Sequence, residues 1–330
     1  MDGVWNATDS KRTTALLQYH LLQGTVAAAA LKSGPSIYKP TFLTDPTWAN
    51  VTTGQNVVLA KQPSDDVVLT SSLGNRVTII ESDILFAGGL IQIIDNLLIP
   101  PARIEKTANS FKLMAFLAAL YNAGLMPGFA EQANVTIFVP ANTALQKVAG
   151  SLGTLTKDEL ARVLSYHMIP NQVLSLESLI NGTSLATAAT TPELSGVTAQ
   201  TQVQITTVGN DVYVNSAKVV QPDILVANGV IHIVDNILNP NVSSVQPNPT
   251  IATQPPVFAV SSVAGLPFSS ALPCTVSCPV TTTATSSKIT TTTMHATSTQ
   301  GGVAISCRTG ASLAAAVGLL GIGLRLVGVA

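Results

Sequence analysis

The sequence predicts a mixed α+β fold, present in two tandem copies and followed by a disordered Ser/Thr/Pro-rich stalk. Three observations carry this: an internal repeat, an order of helical and then strand-like patterns within the fuller copy, and a change of composition beyond residue 241.

The repeat comes first. Ser82 to Leu98 aligns with Pro222 to Leu238 at an offset of 140, sharing Asp-Ile-Leu, a glycine and an apolar run that ends in Asp-Asn. Leu16-Leu17-Gln18-Tyr19-His20 aligns with Val163-Leu164-Ser165-Tyr166-His167 at an offset of 147. Two copies of one module follow, at residues 1–103 and 104–241.

The second copy shows the element order. Phe111, Met114, Leu117 and Tyr121 recur at helical spacing, so a helix is predicted over Ser110 to Leu125, with Gly124 placed to end it. Val135 to Pro140 reads as a short apolar strand. Thr156-Lys157-Asp158-Glu159 is a capping box, in which hydroxyl and carboxylate satisfy each other's free backbone N–H groups; it opens a helix reaching about His167. Alternation follows at Val203 to Val208 and Asp211 to Val214, across the turn pair Gly209-Asn210. Gly229 to Leu238 reads as the closing strand. Asp95-Asn96 and Asp235-Asn236, just ahead of Pro100 and Pro240, read as turn residues.

The first copy is shorter. Only 19 residues precede His20, whereas 60 separate Thr107 from His167. Roughly one helix and one strand are missing, so residue 1 is not expected to start a natural domain. Residues 1–25 carry no basic start followed by an apolar run, which such a truncation would explain.

Composition narrows the function. The 330 residues are 46% hydrophobic, ample for two cores, and 10% charged with a net charge of −1. No basic stripe is available to neutralise phosphates, so nucleic acid is not an expected partner. Cysteines occur only at Cys274, Cys278 and Cys307, so both modules must fold without disulfides or thiolate-bound metal. Cys274 and Cys278 could pair in an oxidising compartment, but they lack the second ligand pair of a zinc site, and no metal or cofactor is expected.

Five glycosylation sequons, at Asn6, Asn50, Asn134, Asn181 and Asn241, point to a secreted route. Residues 242–310, with Thr281-Thr282-Thr283 and Thr290 to Thr293, lack the apolar periodicity needed to offset ordering entropy and read as the stalk. The mostly apolar run at 311–330, preceded by small residues at Ser298 to Gly302, fits a C-terminal lipid-anchor signal. Arg325 makes a retained membrane span costly, by about 2.5–3.5 kcal/mol at a helix centre.

Each module resembles the fasciclin domain family. The resemblance rests on Thr136-Ile137-Phe138-Val139-Pro140-Ala141-Asn142-Thr143-Ala144, on Tyr166-His167 and Tyr19-His20, and on the closing block Asn228 to Asp235. The first copy departs from it by lacking the opening strand and by carrying Gln92 where the block has a histidine. The resemblance implies a wedge of β-sheet and helices that acts in adhesion or in the matrix, often glycolipid-anchored at the cell surface. It also implies partner binding at Tyr166, His167, Asp223 and Ile224, and at Tyr19, His20, Asp83 and Ile84.

The residues themselves allow plainer roles. His167 lies on the apolar face of its helix and His232 alternates with isoleucines, so both are expected to be buried, neutral and hydrogen-bonded. Asp83 and Asp223, read at the start of a strand, either accept turn N–H groups or meet a partner. No G-x-S-x-G, H-E-x-x-H or phosphate-loop pattern occurs, so no catalytic residue is assigned. The expected function is adhesion to cell-surface, matrix or cell-wall proteins or glycans. A small-molecule or lipid carrier is the alternative, and an undetected hydrolase stands behind it.

Overall fold

The computed structural model describes residues 9–192, 198–242 and 245–273. The first module opens with helix α1 (Ser10–Tyr19), whose N-terminus is capped by the Asp9 carboxylate on the Arg12 N–H. An antiparallel sheet follows, β1 (Ser36–Pro40), β2 (Asn56–Lys61), β3 (Val67–Thr70), β4 (Arg76–Phe86) and β5 (Gly89–Ile94), in that spatial order. Its core is small and includes Ala15, Tyr19, Leu43, Val57, Leu59, Leu69, Val77 and Leu98.

The second module begins with three short helices, α2 (Ile104–Ser110), α3 (Met114–Ala123) and α4 (Met126–Glu131). The single helix expected over Ser110 to Leu125 is therefore broken. Lys112 turns left-handed at φ 56°, which ends α2 and restarts the chain in α3; Gly124 closes α3 in the left-handed region as expected. Strand β6 (Val135–Pro140) matches its expected bounds and leads into α5 (Asn142–Gly153), which the sequence reading missed. Helix α6 (Lys157–Ser165) carries the expected capping box and stops two residues short of His167.

Strands β7 (Met168–Ile169), β8 (Ser184–Pro192), β9 (Thr198–Val208), β10 (Asp211–Val214), β11 (Ala217–Val226) and β12 (Gly229–Val234) complete the module. The seven-stranded sheet runs β7-β6-β12-β11-β10-β9-β8, antiparallel except where β6 and β12 pair in parallel. Side-chain alternation splits this sheet between two cores. Val135, Ile137 and Val139 of β6, Ile224 and Val226 of β11, and Ile231 and Ile233 of β12 join the helices; Phe138, Val219 and Val234 join the residues of β8–β10.

The ordered chain extends beyond the boundary expected at 241. Part of the expected stalk, residues 254–272, straps onto the second module. Ser261 donates its N–H to Lys147 and accepts from the Gly150 N–H at 2.8 Å, while the Ser151 hydroxyl and the Asn236 and Asn239 amides donate to Ala259, Pro255 and Val257 carbonyls. Phe258, Leu266, Phe268 and Leu272 pack on the helical core. Ser/Thr/Pro content hid this, because a few spaced apolar anchors and backbone bonds to α5 leave no periodic pattern. Residues 274–310, Cys274, Cys278, Asn6 and the terminal run 311–330 lie outside the described residues.

At Gly150 a Cβ would meet the Ser261 side chain and carbonyl. Gly150→Ala should lower stability by about 1–3 kcal/mol through that overlap. Urea unfolding should show this, with faster proteolysis after residue 245, and Ser261→Gly should restore part of it.

Candidate functional site

The Tyr-His pair ends α6. His167 is fully buried, its Nδ1 lies 2.8 Å from the Val163 carbonyl and its Nε2 2.9 Å from the Leu238 backbone N. A backbone N–H can only donate, so Nε2 accepts and the proton sits on Nδ1, donated to Val163. Both nitrogens are thereby used. Burial pulls the imidazole down to about 4, with the Val163 bond opposing the shift. The Tyr166 hydroxyl, also buried, donates to the Gln202 carbonyl at 2.7 Å and accepts from the Asn215 amide at 3.1 Å.

The first module repeats this joint. His20 Nδ1 meets the Leu16 carbonyl at 2.7 Å, its Nε2 accepts from the Leu98 N–H at 3.0 Å, and the Tyr19 hydroxyl donates to the Asn56 carbonyl at 2.8 Å. Burial lowers His20 as well, against the Leu16 bond.

Asp83 and Asp223 were expected at the entry to a strand but instead sit at irregularities inside β4 and β11, with φ 59° and 62°. Asp223 donates its backbone N–H to His232 Nδ1 at 3.3 Å, and His232 Nε2 donates to the Leu174 carbonyl at 2.9 Å. In the first module Gln92 performs both tasks, accepting from the Asp83 N–H at 2.8 Å and donating to the Val26 carbonyl at 3.1 Å. An amide carries an acceptor and a donor at about the reach of the two ring nitrogens, which is why the exchange of histidine for glutamine leaves the turn intact.

The carboxylates diverge. Asp83 accepts from the Gln92 amide and from the Ala28 and Ala29 N–H groups, in that order of effect, and these hold it below the usual carboxylate range. Asp223 accepts from the Leu176 N–H at 2.9 Å and reaches across to the first module, taking the Tyr38 hydroxyl at 2.7 Å and the Ser36 hydroxyl at 3.2 Å. Burial and the Asp223 charge push the Tyr38 phenol well up, so it remains a donor. Ile224 is buried in the helical core, whereas Ile84 is half-exposed.

Asp223 belongs to a polar junction between the modules. Buried Gln55 donates to the Val226 and Ala227 carbonyls at 3.2 and 3.1 Å. Two sequon residues face each other there: Asn50 donates its side-chain amide to the Glu131 carbonyl at 2.6 Å, and Asn134 donates to the Thr52 hydroxyl at 2.5 Å while accepting from the Thr52 N–H. Asn181 and Asn241 are exposed. Ser36, Tyr38 and Gln55 were not singled out from the sequence, because residues that meet only across a junction share no local spacing. No group of three or more His, Cys, Asp or Glu among the described residues is placed to hold a metal.

Two outcomes follow. The unfolded His167 takes a proton near 6.5 and the folded one near 4, so its contribution is full above pH 6.5 and is lost as pH falls from there towards 4. That difference corresponds to about 3 kcal/mol, which urea midpoints between pH 7 and 4 should register and His167→Gln should flatten. Tyr38→Phe leaves the Asp223 carboxylate one donor short and should cost about 1–3 kcal/mol, read as a lower melting temperature and faster amide exchange across the junction.

The Fasciclin domain family model matches residues 3–100 and 111–240. A fasciclin-like arabinogalactan protein of Arthroderma benhamiae is 29% identical over 260 residues, covering 78% of this chain and 59% of that protein. The chain therefore spans about three fifths of that relative's length. Another, from Phaeosphaeria nodorum, is 30% identical over 225 residues, covering 68% of each. A solved FAS1 domain pair from the insect cell adhesion molecule Fasciclin I is 17% identical with a TM-score of 0.34, covering 70% of this chain and 81% of that one. Two family-model segments, one over each copy of the internal repeat, place this chain in the fasciclin domain family.

Proposed function

We propose that the chain is an extracellular, cell-surface binding protein. Its fasciclin modules engage matrix or cell-wall proteins or glycans without catalysis, and a C-terminal lipid anchor holds it at the membrane. The observation that carries this reading is the use of the repeated polar residues. His167, Tyr166, His20, Tyr19 and Asp223 commit their polar atoms to backbone groups and to the module junction. This leaves no free nucleophile or base among them and gives recognition to the outer surface. Tyr166 and His167 then serve a partner by positioning the surface around them. Among the described residues, exposed Asn181 and Asn241 are the sequons best placed to carry glycans.

The alternatives find less support. The apolar pocket lined by Ala30, Leu31, Pro35, Ile37 and Leu59 has a volume of about 220 Å³, below the range of about 300–1,000 Å³ usual for small-molecule sites, and a second one of about 750 Å³ beside α1 is within that range but is lined largely by polar and charged residues, Asp9, Lys11, Gln18, Thr44 and Asp45 among them, rather than the apolar wall a lipid needs. A hydrolase would need a titratable pair free to meet substrate, and both nitrogens of His232 are already bonded.

The test uses cells expressing the protein. A phospholipase that cuts glycolipid anchors should release the protein, glycosylated, and the released protein should bind isolated cell wall or matrix saturably. Retention inside the cell without glycans would overturn the proposal. Tyr166→Ala should cost about 3–5 kcal/mol of stability, with partner binding falling only as far as the folded fraction falls.

A further inference from the structure

The first module carries a groove that the Tyr-His joint does not use. Lys11, Thr14 and Gln18 recur at helical spacing along one side of α1, and the loop 44–48 runs beside them. Between helix and loop lies an open space of about 750 Å³, within the range usual for small-molecule sites.

Trp48 and Asp45 give this groove its character. Trp48 is half-buried: it packs against the small core of the module and also lines the groove. Its indole N–H meets no acceptor among the described residues, so the ring offers apolar surface with a donor at its rim. Asp45 is exposed, and its carboxylate accepts the Thr47 N–H at 2.8 Å. The bonds from Thr47, with the Lys11 charge adding less, hold that carboxylate below its usual range. The Trp48 and Ala49 N–H groups both donate to the Asp45 carbonyl, at 2.9 and 2.8 Å. Ring and carboxylate thus sit in one turn whose backbone sets their positions before a ligand arrives.

The repeat separates what the scaffold requires from what it leaves open. Tyr19-His20 recurs as Tyr166-His167, whereas Lys11, Thr14 and Gln18 stand opposite Asp158, Ala161 and Ser165. The polar lining of the groove is therefore not part of the shared joint.

The lining also selects a ligand. Two carboxylates, Asp9 and Asp45, against the single ammonium of Lys11 disfavour an anion. Of the described residues that line the groove, only Ala15, Pro46 and Trp48 are apolar, which is too little for a lipid or an apolar helix. Hydroxyl groups, which donate and accept, match carboxylates that accept, an ammonium that donates and a Gln18 amide that does both. A sugar ring joins such hydroxyls to a face of C–H groups that stacks on an indole. We propose that this groove binds an uncharged glycan chain, with a sugar ring on Trp48 and hydroxyls shared among Asp45, Lys11 and Gln18. The proposal rests on the cell-surface reading and assigns a glycan its place within it.

The probes are laminarihexaose, cellohexaose, chitohexaose and mannohexaose, with hexagalacturonate as the anionic control, each titrated calorimetrically into the full chain. At least one neutral probe should bind and shift the Trp48 indole signal in NMR spectra, and hexagalacturonate should not. Trp48→Ala should weaken that binding at least about tenfold. Asp45→Asn keeps an acceptor for the Thr47 N–H, so it should leave the melting temperature unchanged while weakening binding at least about fivefold. Binding of the chain to isolated cell wall without binding of any neutral probe, or with both variants binding as the unaltered chain does, overturns the groove and leaves the cell-surface reading standing. Wall binding that vanishes when wall protein is digested assigns the contact to a protein and overturns the groove equally. Failure to bind either the wall or any neutral probe overturns both.

Discussion

In each module an imidazole, fully buried at His167 and half-buried at His20, donates to the carbonyl four residues back and accepts an N–H from the chain leaving the last strand. This bond ties the end of a helix, early in the module, to the exit of its closing strand. A backbone N–H at that depth has no water to turn to, and leaving it unpaired costs about 1–3 kcal/mol. Histidine suits the place because one neutral ring offers a donor and an acceptor at fixed separation. The adjacent tyrosine extends the joint, reaching the second or ninth strand with its hydroxyl.

The repeat then shows how one motif is turned to two ends. At the aspartate the backbone bends left-handed in both modules, and a histidine or a glutamine opposite supplies the missing partner. The first module's carboxylate closes on its own loop at Ala28 and Ala29. The second module's carboxylate instead draws Tyr38 and Ser36 across the junction, beside Gln55, Asn50 and Asn134. Directional bonds from these side chains span the junction and fix the two modules against each other.

Much of this was legible in the sequence where the signal is local. The capping box at Thr156, the strand Val135–Pro140, the Gly209-Asn210 turn and the two-copy repeat depend on neighbours within a few residues. The neutral, buried state of His167 could be read from its helix face. The break at Lys112, the strap at 254–272 and the junction residues could not. The strap and the junction residues depend on contacts made far away in the chain, and the strap's Ser/Thr/Pro composition points the other way, whereas the Lys112 break is closed by local backbone bonds, Leu113 N–H to the Ala108 carbonyl among them, that apolar spacing does not register. Exposure was also hidden: Ile224 and Ile84 are the same letter at matched positions, and only the helical layer over one of them decides which is core.

The central claim is that the Tyr-His pair is a structural joint with a fixed tautomer. Nitrogen-detected NMR of the His167 ring between pH 7 and 4.5 tests it most directly. A neutral ring protonated at Nδ1 across that range is the expected result. An imidazolium forming near pH 6.5, or a ring protonated at Nε2, would contradict the account and return the pair to the solvent-facing surface.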